Sequence, residues 1–186
     1  NLLLPIYGPD DEIQSVQTIA PDGAKLFQRG APTKSGRMMI GIHLGRTIIC
    51  EGFATGVSIH DAVPDQVCVA YSKNNVHVIA RELAAQGVSI VIASDTNAAA
   101  EMTKLAAELG CPVVVPDHGG NPAIRDFNDQ AAAHDSDHVA GTFAQALRAY
   151  AKAKAQADAD AAGGCLAEPE LDAGTAALGI DEKGAI

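Results

Sequence analysis

The sequence predicts an α/β fold, in which a parallel sheet is flanked by helices and preceded by a small antiparallel β subdomain. From residue 47 onward, short apolar runs alternate with segments of helical periodicity. Uninterrupted apolar strands are typical of a parallel sheet that is covered on both faces. Hydrophobic residues make up 47% of the chain and aromatic residues only 4%, so the core must be aliphatic, which suits helices packed on a sheet.

Residues 1–46 are predicted to form the antiparallel subdomain, because their strand-like runs are short and separated by turn residues. A first strand is expected at 2–7. A second, at 12–19, shows partial alternation of apolar and polar side chains. A third short strand is predicted at 25–28, and the chain becomes apolar again at 38–42 after a polar loop.

The rest of the chain is predicted to alternate strands and helices as far as residue 157. The expected elements are, in order, strand 47–50, helix 54–62, strand 66–71, helix 74–86, strand 88–93, helix 98–109, strand 112–115 and helix 136–157. Residues 116–129 are rich in Asp, Gly, Asn and Pro and are predicted to be a loop. Residues 158–186 lack periodicity and are predicted to be an acidic, Ala- and Gly-rich tail or linker.

The cysteines and the hydropathy pattern exclude several classes of protein. The four cysteines are scattered without CxxC spacing, so neither a zinc site nor a disulfide framework is expected. Cys50, Cys68 and Cys111 lie in or beside apolar runs and are expected to be core residues. Such cysteines fit a reducing compartment, so a cytoplasmic protein is expected. No apolar run is long enough to cross a membrane. The chain begins with Asn within a strand-like run, and we expect it to be a piece of a longer protein.

The charge is unevenly distributed along the chain. The formal net charge of −10 argues against nucleic-acid binding, but seven acidic residues fall within 158–186. The segment 23–50 contains no acidic residue and five basic ones. This segment is either a phosphate-contacting surface or a solvated loop, and composition alone favours neither. The five basic residues are Lys25, Arg29, Lys34, Arg37 and Arg46.

Two of the predicted strands are followed by a carboxylate. Glu51 comes directly after strand 47–50, and Asp95 follows strand 88–93. A lone carboxylate at a strand end usually caps a helix or meets solvent, but two of them at one sheet edge repel each other unless a cation lies between them. Oxygen ligands without a His or Cys pattern favour Mg²⁺ or Mn²⁺. The pair therefore points to metal-assisted phosphoryl transfer on nucleotides or nucleic acid.

Three short strings sharpen this expectation: EGFAT at 51–55, DTN at 95–97 and DFND at 126–129. Their order, each after a strand, resembles the Toprim domain of primases, and is most similar to the plasmid- and phage-encoded primase or primase-helicase branch. Residues 1–46 also resemble the small basic subdomain that precedes Toprim in that branch. The resemblance covers about residues 2–150, and the Toprim catalytic domain would occupy residues 47–157.

The resemblance implies a role for each matching residue. Glu51 would be a catalytic acid, as a metal ligand or proton-transfer group, and Asp95 a catalytic metal ligand. Asp126 and Asp129 would supply contacts to a second metal or to its outer shell. The basic residues Lys25, Arg29, Lys34, Arg37 and Arg46 would contact the phosphates of the template or of the incoming nucleotide.

Asn97 departs from the family, which usually has Asp at this position. Asn keeps an oxygen ligand but removes one negative charge, so metal should bind more weakly. A second residue of interest, Asn75, resembles an Asn of the same branch, and we expect it to cap a helix.

The function that the resemblance implies is that of a DNA primase catalytic core, which makes RNA primers on single-stranded DNA in plasmid, phage or mobile-element replication. It would use ribonucleoside triphosphates, a single-stranded DNA template and Mg²⁺ or Mn²⁺. Zinc-binding or helicase domains would lie elsewhere on the full-length chain. Two alternatives stay open: a catalytically weakened Toprim module that only binds nucleic acid, and a Toprim nuclease.

Overall fold

The computed structural model describes residues 1–163, so predictions for residues 164–186 lie outside the described part. Residues 1–151 form one compact unit. The described residues beyond this unit, 152–163, are the end of the last helix.

The small antiparallel sheet predicted near the amino terminus is present. It consists of β1 (Leu2–Tyr7), β2 (Ile13–Ile19) and β3 (Lys25–Phe27), in the order β1-β2-β3. Leu4 and Ile6 of β1 are buried, because alternate side chains of this strand face the larger sheet and its helices. This sheet positions Lys25 at the start of its edge strand.

The larger sheet has five strands in the order β4-β6-β5-β7-β8. They are β4 (Met38–Ile40), β5 (Thr47–Cys50), β6 (Gln66–Val69), β7 (Ile90–Ala93) and β8 (Val113–Val114). Strands β6, β5, β7 and β8 are mutually parallel, and β4 pairs antiparallel with β6 at the edge. This arrangement confirms the predicted α/β fold, and it adds a strand from within residues 1–46 to the main sheet.

Helices cover both faces of this sheet. The helices are α1 (Phe53–Ala62), α2 (Lys73–Ala85), α3 (Ala99–Leu109), α4 (Phe127–Ala133) and α5 (Ser136–Gly163). One core packs α1, α4 and α5 and part of the small sheet against the strands, and the other packs α2 and α3 against the opposite face. A 3₁₀ turn, Thr96–Ala98, leads into α3. None of these helices is both long enough and apolar enough to cross a membrane.

Two predictions for the carboxyl-terminal part are wrong in detail. Helix α4 begins at Phe127, inside the segment predicted to be a loop, because Asp126 provides a side-chain cap for a helix only seven residues long. Helix α5 continues to Gly163, six residues beyond its predicted end at residue 157. Residues 158–162 are exposed and Ala-rich, so they keep helix propensity without an apolar periodicity that would reveal the helix.

Candidate functional site

Glu51 and Asp95 meet at the carboxyl edge of the parallel sheet. Strand β5 ends one residue before Glu51, and β7, which lies beside β5 with Ile49 opposite Ile92, ends two residues before Asp95. The two carboxylates line one small cavity of about 10 Å³, which is close to the least volume that holds a single water. The other residues that line it are Lys73, Val76, Ala93, Ser94, Ala98 and Met102.

Asp95 is the most perturbed carboxyl group of this edge. Burial is the largest cause that raises its pKa, followed by the negative charges of Glu51 and Asp126; with Lys25 acting in the opposite direction, the pKa of Asp95 is raised to about 6. Its Oδ1 atom is buried and has no hydrogen-bond partner among the described residues. A buried carboxylate oxygen without a partner is destabilised, and a bound cation or a proton would relieve this.

Asp126 and Asp129 lie near Asp95, since the charges of both raise its pKa. Their hydrogen bonds serve the start of α4. Asp126 Oδ1 accepts from the backbone N–H of Asp129 at 2.8 Å, and Asp129 Oδ2 accepts from the backbone N–H of Arg125 at 2.9 Å. The N–H of Thr96 donates to the carbonyl of Arg125 at 2.8 Å, which fastens this helix start to the turn after β7. The DFND string is therefore a helix cap placed beside the carboxylate edge.

The donor set fits a small hard cation. Within residues 1–163, no three His, Cys, Asp or Glu side chains converge closely enough to hold a metal ion unaided. Magnesium usually takes one or two protein carboxylates and fills its remaining positions with water and phosphate oxygens. Glu51 and Asp95, with the unpartnered Oδ1, meet that requirement, and Asn97 lies exposed in the 3₁₀ turn directly beyond Asp95.

Among the five basic residues predicted from the sequence, Lys25 is the one that the structure brings to the carboxylates. Although it belongs to the small sheet, its Nζ atom lies 4.0 Å from the position that a Cβ atom on Gly52 would occupy. Its charge also lowers the pKa of Asp95. A cation from the small sheet and an anion from the main sheet therefore face the same space, next to the first residue of α1.

The remaining predicted basic residues lie elsewhere. Arg29 and Lys34 are exposed in the segment between β3 and β4, and Lys34 lines a groove with Ser72 and Asn74 at the start of α2. Among the described residues, neither forms an ion pair, and neither contributes to the pKa shift of Asp95 as Lys25 does.

Arg37 and Arg46 have structural partners instead. The side chain of Arg37 is 12% exposed, and its Nη1 atom lies 3.6 Å from Oε2 of Glu82 in α2. Arg46 donates to both carboxylate oxygens of Asp65, from Nε at 3.0 Å and from Nη2 at 2.7 Å. Arg46 precedes the first residue of β5, so it lies at the opposite end of that strand from Glu51. The structure does not bring Arg46 to the site.

Lys73 is a site residue that sequence reasoning missed. It is the first residue of α2 and follows β6, the strand beside β5, so it reaches the same sheet edge as Glu51. It lines the cavity and donates to Glu101 of α3 at 2.8 Å. Lys73 shares with Glu51 the sequence signal that indicates such a position, which is a charged residue after a parallel strand.

Asn75 has a different role from the helix cap that was expected. The cap of α2 is Ser72, whose hydroxyl accepts from the Asn75 N–H at 3.3 Å. The Asn75 side chain is buried, and its Oδ1 accepts from the N–H of Ser35 at 2.8 Å. Its Nδ2 lies 3.2, 2.6 and 2.9 Å from the carbonyl oxygens of Thr33, Gly36 and Ala70. Asn75 therefore fastens the loop before β4 to the end of β6.

No protein-family model matches the chain. Among solved structures, the chain is similar to that described as the DnaG primase catalytic domain bound to ssDNA, with a TM-score of 0.55 and 11% sequence identity. The match covers 77% of this chain and 51% of the primase chain, so this chain spans about half the length of that solved structure. At this identity the likeness is one of fold: the chain has a primase-like α/β fold, with a mostly parallel five-stranded sheet flanked by helices.

Proposed function

We propose that this chain is the catalytic core of a DNA primase, a nucleotidyltransferase that makes RNA primers on single-stranded DNA, of the plasmid- or phage-encoded type in the cytoplasm. The observation that carries the proposal is the meeting of Glu51, Asp95 and Lys25 at one sheet edge. The primase-like fold supports it, because ligands of parallel α/β sheets bind beyond the carboxyl ends of the strands. Zinc-binding or helicase domains would be contributed by other parts of a longer chain.

In this proposal each group of the edge has a defined task. Asp95 would hold Mg²⁺ or Mn²⁺ through its Oδ1, and Glu51 would either be a second ligand of that ion or accept the proton of the attacking hydroxyl. A bound divalent cation would neutralise phosphate charge and favour ionisation of the primer hydroxyl. Lys25 contacts a phosphate from the other side. The exposed Arg29 and Lys34 guide the template strand.

A second candidate is a module that binds nucleic acid without synthesis. Asn97 favours this binding module, because its exposed amide occupies a position where the Toprim domain of primases usually has a second acidic residue. With one carboxylate fewer, metal affinity at the edge would be lower. Such a module would bind single strands with a steep salt dependence and would incorporate no nucleotide.

The test begins with calorimetric titration of Mn²⁺ and Mg²⁺ into the chain and into Glu51→Gln. We expect Glu51→Gln to weaken metal binding at least about tenfold, the loss typical when a group that supports a metal is removed. Glu12→Gln, which removes the same charge from an exposed turn, is the matched control and should bind metal as the unmodified chain does. Equal binding by all three proteins would remove Glu51 from the metal site.

A synthesis assay then separates the candidate functions. Incorporation of ribonucleotides on single-stranded DNA, lost in Glu51→Gln, supports the primase. Binding of the strand without incorporation, with metal and all ribonucleotides present, supports the binding module. Cleavage of the template without any need for ribonucleotides supports a nuclease instead.

A further inference from the structure

The cavity at the carboxylate edge has a cationic side chain that neither the sequence strings nor the proposed function uses. Lys73 lines this cavity together with Glu51 and Asp95. The three residues follow β6, β5 and β7, which are consecutive neighbours in the sheet, so they form one row along the edge. Lys25 of the small sheet does not line this cavity, but its charge acts on Asp95 and its Nζ lies 4.0 Å from the position of a Cβ on Gly52, so a second cation lies near the carboxylates.

Lys73 is held in place and yet remains accessible. Its Nζ donates to Glu101 Oε2 at 2.8 Å, and the other oxygen of Glu101 accepts from His77 Nε2, also at 2.8 Å. An ammonium group has three donors, so two remain after the bond to Glu101. The Lys73 side chain is 47% exposed, which leaves these donors within reach of a ligand in the cavity mouth.

A comparison within the same pair of helices distinguishes Lys73 from an ordinary surface ion pair. Arg81 of α2 and Glu108 of α3 are also 2.8 Å apart, and Arg81 is also 47% exposed. That pair links the same two helices as Lys73 and Glu101, but it does not line the carboxylate cavity. Stabilisation of the helix pair alone would therefore not require a lysine at the carboxylate edge.

We propose that Lys73 contacts the polyphosphate of the incoming nucleotide and places it beside Glu51 and Asp95. This inference rests on the proposed function. A triphosphate is strongly anionic, and two carboxylates repel it unless positive charge is supplied at the same place. The positioned ammonium of Lys73 supplies part of that positive charge. Asn97 is uncharged, so it does not add the repulsion that an acidic residue at this position would add.

The experiment measures two affinities for the full chain with Mg²⁺ present: that for ATP and that for a single-stranded oligothymidylate. The variants are Lys73→Gln, Lys73→Arg and Glu101→Gln, with Arg81→Gln as the matched control. We expect Lys73→Gln to weaken ATP binding about tenfold, as expected for loss of one charge-assisted hydrogen bond, and to leave oligothymidylate binding unchanged. Lys73→Arg should restore most of the ATP affinity.

Glu101→Gln separates a phosphate contact from a purely structural ion pair. This variant keeps the Lys73 ammonium and removes the carboxylate charge that holds it in position. It should weaken ATP binding less than Lys73→Gln does, whereas a purely structural pair would give equal effects. The inference would be overturned, and the proposed function left intact, if ATP bound equally well to the unmodified chain, Lys73→Gln and Arg81→Gln. Parallel losses of ATP and oligothymidylate affinity in Lys73→Gln would also overturn it. An unmodified chain that binds neither ligand would overturn both proposals.

Discussion

The side chain of Asp126 accepts a hydrogen bond from the backbone N–H of Asp129, 2.8 Å away, at the first turn of α4. We expect Asp126→Ala to lower the free energy of unfolding by about 1 kcal/mol, because a helix N–H loses its acceptor. Asp126→Asn keeps an oxygen acceptor and should restore most of this stability. Urea unfolding of both variants measures the difference. If Asp126→Ala and Asp126→Asn are equally stable, the cap does not contribute.

Asp95 should make the protein less stable as the pH rises. The pKa of Asp95 is raised from 3.8 to about 6 in the folded state, so between these values the folded chain binds the proton more tightly. The contribution of Asp95 to stability is therefore most favourable below pH 3.8 and declines as the pH rises to about 6. We expect Asp95→Asn to be more stable than the unmodified chain by about 1 kcal/mol at neutral pH, because it removes a poorly solvated charge.

The measurement is urea unfolding of Asp95→Asn at neutral pH and near pH 4, where its advantage should have largely disappeared. Asp61→Asn changes an exposed carboxylate of α1 and serves as the control. A constant difference between Asp95→Asn and the unmodified chain at both pH values would contradict the assigned cause.

Lys25→Gln should raise the pKa of Asp95 above about 6, because the lysine is the charge that lowers it. Carboxyl ¹³C titration by NMR measures this pKa directly. Lys34→Gln removes a charge from the groove at the start of α2 and should leave the Asp95 titration unchanged. An unaltered Asp95 pKa in Lys25→Gln would mean that the ammonium does not reach the carboxylate.

Asn75→Ala should lower the free energy of unfolding by about 3 kcal/mol, because several buried backbone groups lose their partner together. The neighbouring Asn74 is exposed, so Asn74→Ala should change stability by no more than about 0.5 kcal/mol. Hydrogen exchange at Ser35 should also accelerate in Asn75→Ala, since its N–H donates to Asn75. Similar stability losses in the two variants would refute the fastening role.

Gly56→Ala tests the packing of α1 on the sheet. A Cβ at this position would lie 2.7 Å from Val69 Cγ2 and 3.2 Å from Cys50 Sγ. We expect a loss of about 1–3 kcal/mol from overpacking, which outweighs the gain in helix propensity. A Cβ on Gly141 in α5 would meet open space among the described residues, so Gly141→Ala should instead stabilise the chain by about 0.5–1 kcal/mol. Thermal unfolding of both variants compares the two effects.

The sequence by itself determined the fold class and the position of the carboxylates. Its apolar runs match β5, β6 and β7, and the carboxyl ends of parallel strands share one edge, so Glu51 and Asp95 could be placed together. Burial of Cys50, Cys68 and Cys111 followed from their apolar surroundings. These features depend on periodicity and local chemistry, which are written directly in the chain.

Only the tertiary structure decided which cations accompany the carboxylates. Five basic residues form one cluster in the sequence, but β3 carries Lys25 toward Asp95 while Arg46 is bound to Asp65 at the far end of β5. Lys73 lies 22 residues beyond Glu51 in the chain and reaches the same cavity because β6 pairs with β5. Pairing between distant segments determines such neighbours, and no local sequence pattern specifies it.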